Sequence, residues 1–191
     1  MITLEVFDEF SPLLEVVLGT PESFGGIPKM EDIYDPKTLR NVKKGTFPSE
    51  EVIKDELDAF HNILTKYDVK VHRPVVLQSI NQIFTRDIGM VIGDQFLLPK
   101  ILNKRSREQK GIQFIIDQLD ANKLIKVNGT AGIEGGDVMP YGNFLFVGYS
   151  KKEDFDNYIV SRTNELGVDF LIEHFPSWKV KSFELSKSDQ N

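Results

Sequence analysis

Gly89-Met90-Val91-Ile92-Gly93-Asp94-Gln95-Phe96-Leu97-Leu98 reads as two short strands reversing at Gly93-Asp94, directly after the acidic motif Phe84-Thr85-Arg86-Asp87. A glycine beside a small polar residue, between apolar runs, signals a hairpin because tight two-residue turns need positive φ. Downstream, Ile112, Ile115, Ile116 and Leu119 recur at helical spacing in a helix expected to begin near Arg105, and residues 124–127 read as a strand. The order then repeats. Ile133-Glu134-Gly135-Gly136-Asp137 runs into a second expected hairpin over residues 138–147 turning at Gly142-Asn143, and Leu166, Leu171, Ile172 and Phe175 mark another helix. Basic clusters, Lys104-Arg105-Ser106-Arg107 and Ser161-Arg162-Thr163, stand at the two helix starts, with an insert over residues 151–160 loosening the period. A strand-rich unit with one helix cannot cover its own apolar face, so repeats of it imply modules packed around an axis.

Upstream, Leu13-Leu14-Glu15-Val16-Val17-Leu18-Gly19 predicts a buried strand, followed by a Gly/Pro-rich stretch over residues 21–48 that reads as a long functional loop. Ser49 offers an N-cap with Glu50 and Glu51 in the first turn of a helix carrying Val52, Ile53, Leu57, Phe60, Ile63, Leu64 and Tyr67. Residues 70–76 are rich in β-formers. No linker composition interrupts the chain, so residues 1–191 are expected to form a single α/β domain.

Composition limits the function. A formal charge of −6 with no long Lys/Arg run argues against nucleic-acid binding and suits small cationic ligands. The absence of cysteine excludes disulfides, thiolate metal sites and Cys catalysis within these residues. The start, Met1-Ile2-Thr3-Leu4-Glu5, lacks a signal-peptide pattern, and no apolar run approaches the roughly 20 residues of a membrane span. The expectation is a cytoplasmic protein without membrane contact, with no metal and no cofactor.

The paired acids indicate the ligand. A guanidinium is planar, permanently charged and rich in donors, so its site needs carboxylates around the plane. Asp87 and Glu134 meet that need, and Gly135 and Gly136 allow close backbone approach or positive φ. An amino-acid substrate also brings a carboxylate, for which Arg105, Arg107 and Arg162 at helix starts are candidates, with Gly135 and Asp137 completing the substrate-binding set. Taken singly, each motif has a plainer reading: Arg86-Asp87 as an ion pair, the Glu-Gly-Gly-Asp stretch as a turn whose acids cap N–H groups, residues 104–108 as a solvated helix turn.

Together, and in this order, Phe84-Thr85-Arg86-Asp87, Arg105-Ser106-Arg107, Glu134-Gly135-Gly136-Asp137, Gly148-Tyr149-Ser150 and Ser161-Arg162-Thr163-Asn164 resemble the guanidino-group-modifying enzymes. That family includes amidinotransferases, arginine deiminases and dimethylarginine dimethylaminohydrolases. Residues 9–19 are similar to the first strand of the amidinotransferase branch. The resemblance implies a pentein fold, a propeller of ββαβ modules, of which this chain supplies about three as an incomplete propeller. It further implies that the acids at Asp87 and Glu134 hold a guanidino substrate such as arginine.

In that family a His within a His-x-Asp motif moves protons and a late Cys attacks the guanidinium carbon. Neither is matched here: His61, His72 and His174 stand in other settings, and there is no cysteine. The expectation is therefore the N-terminal portion of an amidinotransferase-like enzyme, inactive by itself, with guanidino hydrolase or a non-catalytic pentein binding module as alternatives. An incomplete propeller also exposes apolar faces, which makes a homo-oligomer an expectation.

Overall fold

The computed structural model describes residues 2–33, 36–151 and 163–185. The chain divides into two compact units, one comprising Pro12–Thr85 with Lys110–Ile112, the other the described parts of Met1–Ser11, Arg86–Gln109 and Gln113–Gln190.

In the first unit, β1 (Glu15–Val17) pairs in parallel with β2 (Lys70–His72), in the register Val16 to Val71. Between them run α1 (Pro36–Lys44) and α2 (Glu50–Lys66). The stretch expected to be loop thus contains a helix. Its basic last turn, Lys43 and Lys44, suits the negative end of the helix dipole, and Gly45 at φ +66° closes it with its N–H on the Val42 carbonyl at 3.1 Å. The α2 helix starts as its sequence predicts, Ser49 Oγ accepting from Val52 N at 3.3 Å. Of its apolar set, Ile53 and Leu64 are buried, whereas Phe60, Ile63 and Tyr67 are exposed. Leu64 joins Leu18 and Val69 in this unit's small core.

The second unit begins its regular structure at α3, the single turn Thr85–Ile88 that carries Arg86 and Asp87 across the boundary. The hairpin of β3 (Met90–Ile92) and β4 (Gln95–Leu98) follows, with Ile92 opposite Gln95 and Gly93 at φ +61° in the turn. β5 (Leu124–Lys126) then adds in parallel to β4. The connecting segment differs from its expectation. Instead of an α-helix from Arg105, Asn103–Ile112 is a ten-residue 3-10 helix, and only α4 (Gln113–Ile116) is α-helical. Side-chain contacts fix this tighter path: Gln109 Nε2 donates to the Ile88 and Pro99 carbonyls at 3.2 and 2.8 Å, and Arg105 is forked to Glu108.

The same order recurs in β6 (Val138–Tyr141), β7 (Phe144–Tyr149), α5 (Glu165–His174) and β8 (Lys179–Glu184). β6 and β7 form an antiparallel hairpin closed by Gly142-Asn143, and β8 adds in parallel to β7. Both three-stranded sheets are therefore ββαβ units, the module that the family resemblance implies. Strand β8 was not anticipated from sequence, because its charged residues obscure the alternation that leaves Val180 facing inward. Asn164 caps α5, its Oδ1 accepting from Gly167 N at 2.8 Å. Val168, Leu171 and Phe175 bury themselves against Val138, Leu145 and Val147, in a core shared with Met90, Ile92, Leu97 and Ile133. Among the described residues no helix is long and apolar enough to cross a membrane.

Leu171 is completely buried in this core. Leu171→Ala is expected to lower folding stability by about 2–5 kcal/mol through lost transfer energy and the cavity left behind. Denaturant titration followed by circular dichroism reads the change.

Candidate functional site

Asp87 leaves the short α3 immediately before β3, and Glu134 precedes β6, so the repeat places one acid ahead of each hairpin. What brings the two motifs together is Arg86. Its Nε donates to the Gly135 carbonyl at 3.1 Å and its Nη2 to the Val138 carbonyl at 2.7 Å, while Glu9 takes both terminal nitrogens at 3.0 and 2.6 Å. A planar five-donor group suits this task, since it serves two backbone acceptors and one carboxylate without bending.

The glycines permit the approach. A Cβ at Gly135 would overlap the Arg86 carbonyl oxygen, and one at Gly136 would stand 2.7 Å from Asp87 Oδ1. Neither glycine has positive φ, so close approach is what this site requires of them. The close approach expected toward a ligand is made here to the chain's own backbone and to the Asp87 carboxylate.

Glu134 is 1% exposed and its backbone is fixed by Thr163, whose Oγ1 accepts from Glu134 N at 3.2 Å. The same hydroxyl donates to Asp137 Oδ2 at 2.8 Å, and Thr163 N donates to that oxygen at 3.0 Å. Asp137 thus supports the segment that carries Glu134. Asn164 extends the support, accepting from Gly132 N at 2.9 Å and donating to the Thr130 carbonyl at 3.0 Å.

The acids meet on a cation from the chain itself. Arg105 Nη1 donates to Asp87 Oδ2 at 2.8 Å and to Glu134 Oε1 at 2.6 Å. Its Nε and Nη2 form a fork on Glu108, each at 2.8 Å. The side chains of Arg105, Glu108 and Asp87 are 8, 7 and 14% exposed, so the cluster is buried. Burial works against the Arg105 charge, but the fork on Glu108 and then the Asp87 carboxylate outweigh it and raise its pKa above the ordinary arginine value.

The structure therefore unites Asp87, Glu134, Arg105 and Gly135, and places Asp137 beside them as a support. Arg107 is exposed on the 3-10 helix, and Arg162 lies outside the described residues, as does most of the insert 151–160. Sequence reading did not single out Glu108 or Thr163. Glu108 had a signal, standing three residues after Arg105, whereas Thr163 reaches Asp137 across 26 residues and had none beyond its place in the motif. Of the histidines, His72 Nε2 meets Glu15 Oε1 at 2.5 Å and His174 stacks on Phe170 with ring centroids 3.8 Å apart.

The fold is that of the guanidino-group-modifying, or pentein, enzymes, as comparison with solved structures shows. The similar structures include an amidinotransferase of the saxitoxin biosynthetic pathway from Microseira wollei, with a TM-score of 0.69 and 17% identity over 95% of this chain and 62% of that one. Another is inosamine-phosphate amidinotransferase from Streptomyces griseus, with a TM-score of 0.65 and 16% identity over 94% of this chain and 62% of that one. A third is dimethylarginine dimethylaminohydrolase from Pseudomonas aeruginosa, solved with citrulline, with a TM-score of 0.68 and 15% identity over 92% and 62% of the two chains. This chain thus spans about three-fifths of the length of each, 62%. No family model matches the sequence, and a search of curated proteins found no match to it.

Because Gly135 admits no side chain against Arg86, Gly135→Ala is expected to separate the two motifs and to cost about 1–3 kcal/mol of stability. A denaturation midpoint equal to that of the unaltered chain would show that the segments are not packed in this way.

Proposed function

We propose that these residues form the guanidinium-holding portion of an amidinotransferase-like enzyme acting on arginine or a related guanidino compound. The observation that carries the reading is the convergence of Asp87 Oδ2 and Glu134 Oε1 on one guanidinium nitrogen, at 2.8 and 2.6 Å. That nitrogen belongs to Arg105, so the spacing and direction of the two carboxylates are already suited to the planar cation of a substrate. The shared fold with amidinotransferases and guanidino hydrolases supports the same class, and the two ββαβ sheets support an incomplete pentein propeller of about three modules.

In the proposed reaction Asp87 and Glu134 fix and polarise the substrate guanidinium. A cysteine thiolate from outside these 191 residues attacks the guanidinium carbon, and the departing amine takes a proton from a histidine, also from outside. An amine then resolves the covalent amidino-enzyme and regenerates the thiolate. Gly135 and Asp137 keep Glu134 in place, and Arg107 and Arg162 are the proposed contacts for the substrate carboxylate. Resolution by water instead of an amine would make the same residues those of a guanidino hydrolase, a reading favoured by the likeness to the dimethylaminohydrolase.

Calorimetric titration of the chain with arginine is expected to show binding that weakens at least about tenfold, or about 1.4 kcal/mol, in Asp87→Ala and in Glu134→Gln. Unchanged affinity in both variants would overturn the proposed grip. Because no thiolate is available, the chain alone is expected to release neither ornithine nor citrulline from arginine, which an amino-acid assay checks.

A further inference from the structure

Side chains alternate along β6, β7 and β8, so the face opposite Val138, Leu145 and Val147 carries Met139, Tyr141, Phe144, Phe146 and Phe183. Tyr141, Phe144 and Phe183 lie beside Phe146, with ring centroids 6.4, 6.0 and 6.0 Å from it. Met139, Tyr141 and Phe183 are each more than half exposed. The charged side chains that these strands set on the same face are Lys179 and Lys181, opposite Phe144 and Phe146 in the register. A contiguous apolar patch edged by charge marks an interaction surface.

The first unit exposes a helix stripe instead. On α2, Phe60, Ile63 and Tyr67 stand at i, i+3 and i+7, with Glu56 on the same stripe, and all three apolar residues are exposed. The same spacing occurs where a helix does cover such sheets. Val168, Leu171 and Phe175 of α5, also at i, i+3 and i+7, share one core with Val138, Leu145 and Val147 and with Met90, Ile92 and Leu97 of the other three-stranded sheet. Charge agrees with spacing. The α2 helix carries five acids, Glu50, Glu51, Asp55, Glu56 and Asp58, against two lysines, Lys54 and Lys66. Two copies of the strand face, or two of the α2 stripe, would set like charges together, whereas the stripe on the face sets acids against lysines.

We infer that the aromatic face of β6–β8 is a docking surface for a second copy of this chain, which seats the Phe60, Ile63 and Tyr67 stripe of its α2 there. The two copies then use different surfaces, so association runs head to tail and continues to further copies unless a ring closes. Neither Asp87 nor Glu134 takes part, so the docking stands apart from the guanidinium reading.

Sedimentation velocity over rising chain concentration is expected to show a mass above that of one chain. Ile63→Gln and Phe183→Gln each place a polar amide among the apolar contacts, and each is expected to weaken association at least about tenfold with the circular dichroism spectrum unchanged. Each variant keeps the surface that the other has lost, so an equimolar mixture is expected to form pairs of one copy of each and nothing larger. Lys181→Glu, which turns the strand face against the acids of α2, is expected to weaken association as well, and it decides if either other variant fails to fold. A chain that stays single up to about 1 mM would overturn a second copy as the occupant. Association that resists Ile63→Gln or Lys181→Glu, or a mixture that forms no pairs, would overturn the head-to-tail contact.

Discussion

A buried pair of carboxylates directed at one point is unstable without a cation, and that constraint organises the second compact unit. Asp87 and Glu134 belong to successive ββαβ repeats, and Arg105 Nη1 donates to both of them. Taking such charges out of water costs several kcal/mol per ion, which only good geometry and full hydrogen bonding offset. The fork on Glu108 takes Nε and one N–H of Nη2, so carboxylates face the guanidinium along both of these edges.

The cluster depends in turn on how closely two backbone segments approach. Gly135 lies against the Arg86 carbonyl, where no side chain fits, and the Arg86 guanidinium reaches past it to the Val138 carbonyl. On the other side Thr163 links Asp137 to the Glu134 backbone. Each of these ties is short and directional, so the backbone that carries the two acids is held from both sides. A site for a flat cation needs that rigidity, since a small misplacement of either acid loses the shared nitrogen.

Much of this was legible in the chain. The turns at Gly93-Asp94 and Gly142-Asn143 follow from the need for positive φ, and both hairpins stand where the turn residues put them. Ser49 announced α2 by its capping chemistry. The segment after Leu98 was less legible, because Ile112, Ile115 and Ile116 keep helical spacing whether the preceding turns are 3-10 or α. Helix α1 was hidden by the glycines and prolines around it, and β8 by its lysines. At the site the sequence singled out Asp87, Glu134 and Gly135, whereas Glu108 was marked only by standing three residues after Arg105 and Thr163 only by its place in a motif.

The sequence by itself determined the order of strands and helices, the two acid motifs ahead of their hairpins, and the absence of any thiol. Those properties depend on neighbours along the chain, through turn chemistry, capping and the period of apolar residues. Tertiary structure decided which cation the acids hold. Arg105 is 18 residues from Asp87 and 29 from Glu134, and its guanidinium reaches both only because the repeats pack around a common core. A contact of that kind is set by three-dimensional placement of buried charge, and no local pattern encodes it.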